Sequence, residues 1–119
     1  MINENLNLTG ALTIALNDTV VQKTKNLVVT AGKEWVADRM ANANTVMTHM
    51  AIGTDTTPNT GGTVVAPANT TLVTELDRNA LTTSGGTVSG ATIEYACTWA
   101  AGDGTGAITE AGIFDAATG

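Results

Sequence analysis

His49 is the only histidine, set between Met47 and Met50 in an apolar stretch, and the only serines are Ser84 and Ser89. A Ser-His-Asp triad would have to recruit Ser84 or Ser89, and neither lies on a nucleophile elbow. Both serines instead sit beside glycines typical of hairpin turns, so His49 reads as a hydrogen-bonded structural side chain. Zinc needs several His or Cys ligands, and the chain offers one of each. Asp103 lies in a Gly-rich turn and Asp55 in a polar loop. Neither has the D-x-[DN]-x-[DN]-G spacing of a calcium loop, and both read as turn residues that bond their own backbone.

Glu75, Asp77 and Arg78 form a compact charged cluster, and Glu110 sits among Ile108, Gly112 and Phe114. Two carboxylates can cleave a glycosidic bond when they flank it. Such clefts are usually lined with aromatics, and only 3% of this chain is aromatic. The plainer expectation is an ion pair from Arg78 to either Glu75 or Glu110 that pins one segment to a strand. Gly102-Asp103-Gly104 lacks the lysine that follows a phosphate loop. Cys97 alternates with Tyr95 and Trp99 and reads as a small buried hydrophobe. No catalytic, metal-binding or cofactor-binding set emerges.

The elements that would position these groups follow from composition. The chain has 119 residues, 43% hydrophobic and 13% charged, the latter about half the usual ~25%. Thr, Asn and Gly fill the gap, which favours strands and turns over helices. Eleven acidic residues against five basic ones give a net charge of -6. Lys23, Lys25, Lys33, Arg39 and Arg78 are too few and too scattered to neutralise a nucleic-acid backbone or hold an anionic membrane. One cysteine closes no internal disulfide. No apolar run reaches the ~18 residues of a membrane span, and Met1 to Leu8, with Glu4 and three Asn, does not read as a signal peptide.

Leu6, Leu8, Leu12, Ile14 and Leu16 alternate with polar or small residues, which predicts a strand with one buried face. Asn17-Asp18 then turns the chain into a return strand from Thr19 to Thr24, a hairpin arm over residues 1–25 ahead of a β domain over 26–119. Thr30 to Ala43 predicts the one helix, capped by Thr30, with Trp35, Val36 and Met40 on its core face. Val46 to Gly53 reads as a short, largely buried strand. Thr54 to Thr71, with Pro58, Gly61-Gly62 and Pro67, reads as a long exposed loop. Leu72 to Arg78 is expected as a helical turn leading into a strand over Asn79 to Thr83. Gly85-Gly86 should turn a hairpin into a strand that places Ile93, Tyr95, Cys97 and Trp99 on one face. Ala107 to Asp115 closes the list as a strand. The expected architecture is mainly β, an antiparallel sandwich or open barrel with one helix at about residues 31–43 packed against it.

Three segments, in order, carry a resemblance: Thr48-His49-Met50-Ala51-Ile52-Gly53, Leu72-Val73-Thr74-Glu75-Leu76-Asp77-Arg78, and Ile108-Thr109-Glu110-Ala111-Gly112-Ile113-Phe114-Asp115. Together they resemble the N-terminal attachment domain of tail-collar fibre proteins of tailed bacteriophages. Asn26 to Met40 resembles the lead into a helix found in small phage structural proteins. The resemblance implies a non-enzymatic virion component, assembled in the host cytoplasm, that anchors a fibre at the tail or baseplate. It implies that Glu75, Arg78, Glu110, Gly112, Phe114 and Asp115 hold the architecture.

The family pattern continues past Asp115 with another strand or two. Either such residues follow in the natural protein, or the edge at Ile108 to Asp115 lies open to a neighbour. Thr54, Asp55, Pro58, Pro67 and Ile108 are the candidate interface residues. The expected partners are other virion proteins and copies of the chain itself, as a trimer or higher oligomer, with no nucleic acid, membrane or small-molecule substrate. A capsid decoration protein is the alternative within this class. A glycan-binding module built on Trp35, Tyr95 and Trp99 is a more remote one.

Overall fold

Asn17 and Asp18 both take positive φ, 50° and 63°. A two-residue loop with positive φ at both positions is a type I′ turn, whose twist matches that of the strands it joins. Asn and Asp reach this region more easily than most residues. The turn joins β1 (Gly10–Leu16) to β2 (Thr19–Asn26) in an antiparallel hairpin. The structure, a computed structural model, describes residues 8–55 and 67–118. After the hairpin come α1 (Thr30–Ala41), β3 (His49–Gly53), β4 (Glu75–Ala80), β5 (Thr87–Ser89), β6 (Thr92–Glu94) and β7 (Glu110–Phe114). The fold is mainly β; among the described residues every strand pairing is antiparallel and one helix accompanies the sheets.

The core sits on a three-stranded sheet in the order β4-β3-β7. β3 takes the centre because its residues are apolar or small on both faces. Met50, Ala51, Ile52 and Gly53 are all buried, as a strand with a neighbour on each side and cover on each face requires. Ala51 faces Arg78 and Gly112, and His49 faces Ala80 and Phe114, so these side chains share one face. Met50, with Asn79 and Ile113, and Ile52, with Asp77 and Ala111, occupy the other.

Several expectations are corrected. Residues 75–78 belong to a strand, not a helical turn, and that strand ends at Ala80. Pairing with the buried β3 supplies backbone partners that an isolated turn lacks. Gly85 and Gly86 do take positive φ, and Gly86 N–H closes a turn on the Thr83 carbonyl at 2.9 Å. The paired hairpin, however, is β5-β6, turned at Gly90 (φ 58°), the positive φ that a type II′ turn needs at its first position. The strand expected through Trp99 is paired only to Glu94. The alternation still holds beyond it: Tyr95, Cys97 and Trp99 are half-buried while Ala96, Thr98 and Ala100 are exposed.

The helix begins at Thr30, whose backbone N–H donates to the Pro67 carbonyl at 2.7 Å, so Thr30 is not its cap. Trp35 and Val36 are half-buried, but Met40 is 80% exposed. Trp35 Nε1 donates to the Thr45 carbonyl (2.8 Å) and Asn44 Nδ2 to the Trp35 carbonyl (3.1 Å), which folds the following segment back along the helix. The hairpin's expected buried face is also corrected. Ile14 and Leu16 are exposed, as are Val20 and Val21. The reason is placement: among the described residues neither β1 nor β2 lies against the helix or another strand.

Candidate assembly surface

Glu75, Arg78, Glu110, Gly112 and Phe114 come together on one face of the three-stranded sheet. The Arg78 guanidinium donates from Nη2 to Glu75 Oε1 (2.6 Å) and from Nε to Glu75 Oε2 (3.1 Å), a bidentate pair. Its carbon stands 4.0 Å above the centre of the Phe114 ring, and Nη1 donates to the Ala116 carbonyl at 3.0 Å. The Arg78 side chain is 5% exposed. Glu75 is thus the expected ion-pair partner that the geometry selects.

Gly112 makes the stack possible. A Cβ there would stand 3.0 Å from Phe114 Cε2 and 3.4 Å from Leu72 Cδ2, so the bare backbone lets the ring lie across the strand toward Arg78. Glu110 works differently. Its two oxygens accept the backbone N–H groups of Val73 (3.0 Å) and Thr74 (2.7 Å), tying the approach to β4 down onto β7. Both carboxylates are therefore saturated by donors of their own chain. Asp115 lies just past β7 and is exposed.

The opposite face is covered by the 95–104 segment. Asn79 Nδ2 donates to the Thr98 carbonyl (3.2 Å) and to Asp103 Oδ2 (3.0 Å). That bond holds the Asp103 carboxyl below the usual carboxylate range. Cys97 Sγ points at the Ala80 carbonyl at 3.4 Å, and burial pushes its thiol upward. Burial raises Tyr95 likewise. Trp99 packs over Gly104 beside Ile52. No sequence spacing announces the Asn79–Asp103 bond, because it joins a strand to a distant turn.

The other chemistry-bearing residues stay apart. Thr48 Oγ1 lies 2.7 Å from His49 Nδ1, and among the described residues no hydrogen bond joins His49 to Ser84 or Ser89. The described residues contain no group of three or more His, Cys, Asp or Glu placed to hold a metal ion. Among the candidate interface residues, Asp55 is buried, not exposed, and its backbone carbonyl accepts the Thr109 hydroxyl at 2.5 Å. Thr54 is half-buried, while Pro67 and Ile108 are exposed. Pro58 and the Gly61-Gly62 pair lie outside the described residues.

Two features are left without a neighbouring element among the described residues. The first is the hairpin, where Leu12, Ile14 and Leu16 line β1 on one face, opposite Thr24, Gln22 and Thr19. The second is β7, which among the described strands pairs with β3 alone. The outer side of β4 is flanked instead, because Thr82 N–H donates to the Ala96 carbonyl at 2.8 Å and the 96–98 segment runs alongside. No family model, no curated protein and no solved structure matches the chain.

Proposed function

We propose that this chain is a non-enzymatic structural protein of a tailed-phage virion, acting at the tail or baseplate as a fibre or fibre-attachment part through contacts with copies of itself and with other virion proteins. The observation that carries the reading is the small interior. Among the described residues the buried apolar side chains are Met50, Ala51, Ile52 and Leu81, whereas twelve large apolar side chains are exposed. A chain with so much uncovered surface gains stability by assembling.

The phage assignment rests on the resemblance, and one arrangement supports it. The three segments that carry the resemblance cover β3, the first four residues of β4, and β7, the three strands of a single sheet. Their distinctive residues meet in the Arg78 stack and the Glu110 clasp, so the pattern corresponds to one structural unit. Native mass by light scattering across a concentration series tests the reading. Assembly to a trimer or larger particle is the expected result. A chain that stays monomeric and fully folded at every concentration overturns it.

A further inference from the structure

The hairpin is a structure without a support. An isolated two-stranded hairpin is marginal in water and needs a third strand or a packed face. Among the described residues β1 and β2 have neither. A cleft of about 590 Å³ lies at their base, bounded by Leu8, Gly10, Lys25 and Asn26 on the arm and by Thr92 across from them.

The body has the matching vacancy. β7 carries Ala111-Gly112-Ile113-Phe114 with no proline, lysine or bulge along it, none of the devices that usually protect an edge. Charge is also complementary. Asp18 against Lys23 and Lys25 leaves the hairpin strands at +1, whereas residues 27–119 stand at -6. Both lysines belong to β2, and Asp115 sits exposed at the end of β7.

We infer that the hairpin arm of one copy adds to the β7 edge of a second copy, extending the β4-β3-β7 sheet across the interface. This rests on the self-assembly proposed above and names its contact. Main-chain hydrogen bonds along β7 supply the pairing, and lysines on β2 meet the acidic body. The row Leu12, Ile14 and Leu16 then gains cover that no other described strand or helix of its own chain gives.

The test uses two full-length variants in a Cys97→Ser background, one with Lys23→Cys on the arm and one with Ala111→Cys on β7. The two are mixed and treated with a short bismaleimide, with the mass followed by light scattering. The expected result is a cross-linked pair that needs both cysteines and falls at least tenfold when Ile14→Asp is added to the arm variant. Circular dichroism should keep the body's signal in that triple variant, since Ile14 touches no other element. Oligomers in which no cross-link joins the two cysteines, or that survive Ile14→Asp unchanged, overturn the arm-to-edge contact and leave self-assembly standing. Chains that never associate overturn both.

Discussion

Glu75 and Arg78 stand three residues apart in one strand and yet share a face. In a regular strand such residues point to opposite sides. The register with β3 shifts between Ile52, which faces Asp77, and Gly53, which faces Glu75. Leu76 is the extra residue of that bulge, and it turns Glu75 back onto the Arg78 side. The ion pair is therefore a product of the bulge, and the Phe114 stack is built on the ion pair.

Replacing Arg78 with alanine should remove the bidentate bond, the stack on Phe114 and the bond to the Ala116 carbonyl together. Because the arginine is nearly buried and Glu75 about one-third exposed, the expected loss is about 2–3 kcal/mol, below the range for a fully buried pair. Arg78→Lys should recover less than half, since an ammonium cannot make the planar fork. Denaturant midpoints at unchanged slope measure both.

Gly53 and Gly90 should respond to alanine for different reasons. At Gly53 a Cβ would collide with Glu110 Oε1 and stand 2.5 Å from the Thr74 carbonyl, so backbone must move. We expect Gly53→Ala to cost about 1–3 kcal/mol and to lower the hydrogen-exchange protection of the Val73 and Thr74 amides. At Gly90 nothing lies within 4 Å. Its cost of about 1–2 kcal/mol comes from positive φ alone, and those two amides should keep their protection.

Asp103 should report on Asn79. The side-chain bond depresses the folded pKa of Asp103, so its contribution to stability is present above the unfolded carboxylate value of about 3.9 and is lost as pH falls through the folded value. Asn79→Ala should raise the Asp103 pKa toward that ordinary value in an NMR titration. An unmoved midpoint would mean that another group holds the carboxyl down.

Cys97 should alkylate more slowly in the folded chain than in denaturant at the same pH. Burial, with Asp77 and Asp103 nearby, disfavours the thiolate, which is the reactive form. Iodoacetamide kinetics followed by mass spectrometry check this. Asp103→Asn should raise the folded-state rate slightly.

The sheet was largely legible because its signals are local. β3 reads as a run of apolar and small residues, and β7 places Glu110, Gly112 and Phe114 at spacing two. The hairpin also follows from alternation and the Asn17-Asp18 turn. The Glu75–Arg78 spacing misleads, since residues three apart suggest a helical turn unless the bulge is known. Burial of the hairpin's apolar row was equally beyond the sequence. Period two reports that one face is apolar, and says nothing about which molecule covers it. The Ser89-Gly90-Ala91-Thr92 turn carries a glycine signal that the neighbouring Gly85-Gly86 pair overshadowed.

The position of β3 between β4 and β7 sets the order in which this protein can fold. The hairpin closes over adjacent residues, an event of microseconds. The central sheet must wait for β7, drawn from far down the chain, and long-range pairings of this kind are slow because loop closure precedes any gain in contacts. On the ribosome, Met50 and Ile52 have one strand partner at most until Glu110–Phe114 has emerged. A nascent chain therefore has both strands of the arm in hand well before its central sheet can be finished.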